Sequence, residues 1–143
     1  MASTIAQAIL EKFDAAGISD FAASGGLWLG AIPAGKPLPF AFYDMSEEQC
    51  EYTTEDSYIE RGGVDFYVFA LAPAEAERIA ERVKTVFDAC IKSPSTIDVD
   101  NSRVIDWERT GYRIGTEPMP DKEQRLVALA TMSYRYAVNK ELP

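Results

Sequence analysis

The sequence predicts an α+β fold: a single, mostly antiparallel sheet with two helices packed on one face. Three observations carry that expectation. After the pair Gly62-Gly63, Val64, Phe66, Val68 and Ala70 alternate with Asp65, Tyr67, Phe69 and Leu71, the period of a strand. From Ala74 the period becomes helical, and Ile79, Val83, Val86, Phe87 and Cys90 fall on one stripe. From Gln124 to Val138 alternation returns, with Leu126, Ala128, Ala130, Met132, Tyr134, Tyr136 and Val138 on one face. Val127, Leu129, Thr131, Ser133 and Arg135 occupy the other.

The remaining elements follow in order. Thr4 to Ala16 reads as a first helix, with Thr4 and Gln7 in capping-box positions, Ile5, Ile9, Phe13 and Ala16 inward, and Gly17 as its stop. Ile18 to Pro37 is a Gly/Pro-rich loop containing one short strand near Leu27 to Ala31. Pro39 to Met45 is apolar on both faces, which suits a covered strand. Ser46 to Cys50 reads as a polar connector and Glu51 to Glu60 as a strand with an acidic, mobile first half. Arg61-Gly62-Gly63 then reads as a tight hairpin turn. Pro73 suits the first turn of the second helix, because its missing N–H removes no helical bond. On that helix Glu77 and Glu81 alternate in sign with Arg78 and Arg82 on the solvent side. Beyond it come a short strand over Thr96 to Val99, a turn at Asp100-Asn101-Ser102, and a strand over Val104 to Ile114 with a bulge near Gly111. Gly115 to Lys122 reads as a loop, and Asn139 to Pro143 as a frayed tail.

With 143 residues, 47% of them hydrophobic, the chain reads as one domain, residues 1–143, able to bury a core. No run of about 18 apolar residues suggests a membrane span, and MASTIAQAILEKF lacks the basic start of a signal peptide. Two cysteines, Cys50 and Cys90, read as reduced thiols of a cytosolic product. The net charge of −9 argues against binding nucleic acid through its phosphates. The absence of histidine removes the commonest general base and metal ligand. The expectation is therefore no enzyme and no cofactor.

Four patterns with chemical overtones fail on their details. Gly30 to Lys36 matches GxxxxGK, yet Pro37 stands where a magnesium-binding hydroxyl is required and Pro33 removes a cradle N–H. Asp98 to Ser102 begins like a calcium loop, but Arg103 and Arg109 hold the glycine and terminal glutamate positions. Ser24-Gly25-Gly26 lacks the GxSxG frame of a nucleophile elbow. Glu47, Glu48, Glu51, Glu55 and Asp56 read as a solvated loop before a cation site. The strand-borne carboxylates Asp65, Asp106 and Glu108 show no obvious convergence. What stands out is a second apolar sheet face, with Tyr67, Phe69, Leu71, Val127 and Leu129. It calls either for a partner or for the 18–37 loop to fold over it.

The order of features resembles the tail terminator proteins of long-tailed phages, including the lambda-like and minor-capsid-annotated groups. The resemblance lies in the short N-terminal helix before a Gly/Pro loop, the extended PLPFAFYDM, VDFYVFA running into PAEAERIAERVKTVF, and DKEQRLVALATMSYRYAV at the end. It covers nearly the whole chain. It implies a virion structural protein of the tail and neck, assembled in the host cytoplasm. Its partners would be itself, as a hexameric ring, the tail tube protein and the head-tail connector protein, with DNA passing through the lumen without specific binding. An acidic lumen suits such passage. On that basis contacts are expected at Arg61, Glu51, Glu55, Tyr67, Phe69, Pro118, Asp121 and Arg125, exposed beside strand ends or on the second sheet face. Two alternatives remain open: a head-completion or connector adaptor, and a small-molecule binding module or carboxylate enzyme of unknown substrate.

Overall fold

A computed structural model describes residues 4–46, 49–52, 57–118 and 126–141. Helix α1 (Ile5–Ala15) starts where the Thr4 side chain accepts the Gln7 backbone N–H at 3.1 Å. It stops at Gly17, whose φ of 68° a residue with a side chain resists. Ile5, Ala8, Ile9 and Phe13 are its buried face. After strand β1 (Leu27–Leu29) come β2 (Phe40–Met45), β3 (Gln49–Tyr52) and β4 (Ser57–Ala70). Helix α2 (Pro73–Asp88) takes Pro73 in its first turn and buries Ala76, Ile79, Ala80, Val83 and Phe87. Strands β5 (Ser102–Pro118) and β6 (Leu126–Glu141) complete a mixed sheet.

The strand order is β1-β2-β4-β6-β5. Only β1 and β2 run parallel among the described pairs. Strand β2 pairs with the second half of β4 and β3 with its first half, so two short strands share one side of a long one. Both helices lie on one face, where Tyr43, Val64, Phe66, Met132, Tyr134 and Trp107 meet their apolar stripes. Each fully buried side chain of that size stabilises by roughly 1.5–3 kcal/mol before entropy is subtracted. Aromatic rings fill the centre: Phe66 stacks on Phe87 at 4.5 Å and Trp107 on Tyr134 at 5.0 Å between centroids. The polar edges of these rings find partners. Trp107 Nε1 donates to Phe87 O at 2.9 Å, Tyr134 Oη to Asp88 Oδ1 at 2.7 Å, and Tyr43 Oη to Ala6 O at 2.7 Å.

Six local expectations change. Ala16, expected on the inward face of α1, is exposed. Gly62-Gly63 is not a turn: β4 runs through it unbroken from Ser57 to Ala70. Gly63 serves close packing instead, because a Cβ there would lie 2.9 Å from Ser46 Oγ and 3.1 Å from Tyr134 O. The connector after Ser46 contains strand β3, an exposed edge strand with none of the apolar alternation of a half-buried one. Strand β5 extends to Pro118, into the segment expected as loop. Residues 139–141 pair with Ser57 to Ile59, so the strand does not fray at Val138. Pro94–Thr96 forms a 3₁₀ turn in place of a strand, and Ile97 and Val99 drop into the core. The irregularity expected at Gly111 is present, as a register shift between Arg109 and Gly111.

Candidate interface on the open sheet face

The sheet face away from the helices is organised in cross-strand rows set by register. Phe40, Phe69, Leu129 and Gly115 form one row. Phe42, Tyr67, Thr131 and Arg113 form the next, and Asp44, Asp65, Ser133 and Gly111 the one after. Gly63, Arg135 and Glu108 follow, then Gln49, Arg61, Ala137 and Asp106. The face is therefore apolar at one end and charged at the other.

At the apolar end Phe40 stacks on Phe69 at 5.0 Å and Phe42 on Tyr67 at 4.9 Å. Ile32 and Leu38, from the loop between β1 and β2 and its exit, pack against Phe40, Phe69, Val127 and Leu129. The chain thus covers much of this face itself. Phe69, expected as a contact residue, is 7% exposed and belongs to an internal cluster. Exposed apolar surface remains on this face at the end of β4, where Leu71 is 68% exposed; Leu126, 70% exposed at the start of β6, has the parity of Ala128 and so belongs to the helix side. Tyr67 is half-buried, and its phenol is raised above the usual tyrosine value, chiefly by burial and then by the Asp65 and Asp44 carboxylates.

The charged end holds an open trough of about 550 Å³, lined by Arg61, Gly63, Asp65, Ser133 and Arg135 among others. Arg61 Nε lies 3.6 Å from Glu51 Oε2, and Arg135 pairs with Glu108. Ser133 Oγ donates to Asp65 Oδ1 at 2.5 Å. Asp65, Glu108 and Asp106 lie on successive rows, and the Arg135 guanidinium meets Glu108.

The eight expected contact residues do not form one site. Arg61 and Glu51 come together on β3 and β4 at the charged end. Tyr67 and Phe69 lie on the apolar half, Phe69 eight residues or roughly 27 Å along the strand from Arg61. Pro118 is exposed at the far end of β5, opposite Leu126. Glu55, Asp121 and Arg125 lie outside the described residues. Sequence reasoning missed Phe40 and Phe42 as ring partners, although the alternation within β2 already placed them on one face. The trough had no local signal, because it depends on the register between β4, β5 and β6.

The failed motifs have plain structures. Strand β2, not a helix, follows Lys36, and Lys36 Nζ sits 5.4 Å from the Trp28 ring centroid. Ser24 is fully buried, with Oγ donating to Phe21 O at 3.0 Å. Asn101 takes a φ of 53° in its turn. Cys50 and Cys90 are free thiols, the first exposed and the second buried. No helix among the described residues is long and apolar enough to cross a membrane. No family model matches the chain, and no curated protein matches it.

Proposed function

We propose that this chain is a tail terminator of a long-tailed phage: a structural subunit whose hexameric ring caps the tail tube and joins it to the head connector. The observation that supports this most is the layered build of the subunit. Helices cover one face of a long-stranded sheet, and the opposite face keeps exposed Leu71 at one end and polar pairs at the other. A ring of identical subunits needs two different surfaces per copy that fit each other head to tail, and a sheet with unlike faces provides them. The element order is also the one the resemblance implies: a short helix, a Gly/Pro loop, β4 leading directly into α2, and a long last strand. The net charge of −9 would leave a lumen through which DNA slides.

Light scattering on the protein, alone and mixed with tail tubes lacking their terminator, tests this. The expected result is a six-subunit mass, or tubes that stop growing once the protein is added. A protein that stays monomeric and leaves tube length unchanged would overturn it. One observation favours a second reading, a small-molecule binding module: the trough between Arg61 and Arg135. A thermal-shift screen with small polar ligands addresses it, and stabilisation abolished by Arg135→Ala would support it.

A further inference from the structure

Strand β5 is the long open edge of the sheet: β6 lies on one side of it, and no described strand lies on the other. Exposed edges of this length invite pairing unless something interrupts them. Register shifts between Val104 and Asp106 and between Arg109 and Gly111 interrupt the first half. From Gly111 to Pro118 the ladder with β6 is unbroken, so the outer edge is regular there.

Within that stretch Arg113, Gly115 and Glu117 share the open face, opposite Thr131, Leu129 and Val127. Nothing in the chain itself requires glycine at 115. Its backbone is not left-handed, and a Cβ would meet no atom within 4 Å. A glycine inside a strand weakens it, and one that neither conformation nor packing within the chain demands fits a position that another backbone approaches. A notch of about 190 Å³ lies beside it, lined by Arg113, Thr116, Glu117 and Leu129. Among the described residues neither Arg113 nor Glu117 has an ion-pair partner. Four residues apart on a strand, their Cα atoms are roughly 13 Å apart, which does not favour pairing with each other.

We propose that residues 111–118 of β5 are a docking edge for a second copy of this chain, the two strands running antiparallel about a two-fold axis at Gly115. In that register Gly115 faces the partner's Gly115. Arg113 faces the partner's Glu117, and Glu117 faces the partner's Arg113. Charges of opposite sign at equal distances from the axis are self-complementary in this arrangement, which favours a second copy as the occupant. The contact is isologous. It joins two copies, or two rings, and does not itself close a ring, so it stands or falls separately from the function proposed above.

Cysteine cross-linking of the full chain tests it. In a Cys50→Ser background, Gly115→Cys should oxidise to a covalent dimer, since directly opposed strand residues lie within disulfide reach. Adding Arg113→Glu should lower the dimer yield at a fixed subsaturating concentration, through a dissociation constant raised roughly tenfold to a hundredfold as two attractive pairs become repulsive. The double exchange Arg113→Glu with Glu117→Arg should restore it. All these positions are at the surface, and far-ultraviolet circular dichroism checks that each variant folds. No cross-link at Gly115→Cys, or a cross-link indifferent to Arg113→Glu, overturns the proposal.

Discussion

The bond between Tyr134 and Asp88 gives a quantitative test of the core. Tyr134 is 1% exposed, and its hydroxyl donates to Asp88 Oδ1 at 2.7 Å, while Arg109 Nε donates to the same oxygen at 3.2 Å. Asp88 sits at the last position of α2 with about a quarter of its side chain exposed, so water can replace a lost donor on its side. Water cannot so easily reach the hydroxyl. Asp88→Ala should therefore cost about 2 kcal/mol, the penalty of an orphaned buried hydroxyl. Tyr134→Phe should cost about 1 kcal/mol, because it removes donor and need together on the buried side. The double variant should cost little more than Asp88→Ala alone, a coupling of about 1 kcal/mol. For 143 residues about 1 kcal/mol moves the melting temperature by about 3 °C, so Asp88→Ala should melt about 6 °C lower. Urea denaturation of the four proteins reads all three values. Additive losses, or an Asp88→Ala loss under about 0.5 kcal/mol, would refute the assignment of Asp88 as the partner that satisfies Tyr134.

Three further outcomes are expected. Asp20, with a side chain 11% exposed, accepts from Arg78 at 3.2 Å and from Arg82 at 3.0 Å; both arginines are half-exposed. Asp20→Asn should cost about 1 kcal/mol and either arginine→Ala less than that, read by thermal melts; an unchanged Asp20→Asn melt would contradict it. Gly63→Ala should lose about 1–3 kcal/mol to the crowding with Ser46 and the Tyr134 carbonyl, whereas Gly115→Ala should be neutral or gain up to about 1 kcal/mol; equal effects would contradict the packing described. Burial pushes the Tyr43 phenol up to about 12 from an ordinary value of 10.0, and burial followed by the Asp88 hydrogen bond raises Tyr134 as well. The folded state thus favours the protonated phenols, so their contribution is complete below pH 10 and falls as pH rises from 10 towards 12, by about 1.4 kcal/mol per pH unit for each ring. Urea midpoints between pH 9 and 11.5 should show the decline, shallower in Tyr43→Phe, and a flat profile would contradict it.

How much of this was legible in the sequence depended on how far an element's pattern is its own. Helix α2 and strands β4 and β6 have strict periods, so Ile79, Val83 and Phe87, or Met132 and Tyr134, announced their faces. Gly62-Gly63 misled because a glycine pair is turn chemistry in isolation. Only the folded sheet shows that Gly63 is small to admit Ser46 and the Tyr134 carbonyl. Gln49 to Tyr52 and Asn139 to Glu141 are polar, and strand pairing through the backbone leaves no mark in such residues. The open face shows the same limit. The alternation gave Tyr67 and Phe69 their side of β4, but that Ile32 and Leu38 pack on the cluster around Phe69 is tertiary. The trough between Arg61 and Arg135 exists only through the register of β4 against β6.

The most direct test of the ring is negative-stain imaging of the purified protein, alone and at the ends of tail tubes. Class averages with six-fold symmetry and a central hole, or a single such ring seated on each tube tip, are the expected result. Monomeric particles together with bare tube tips at saturating protein would contradict it.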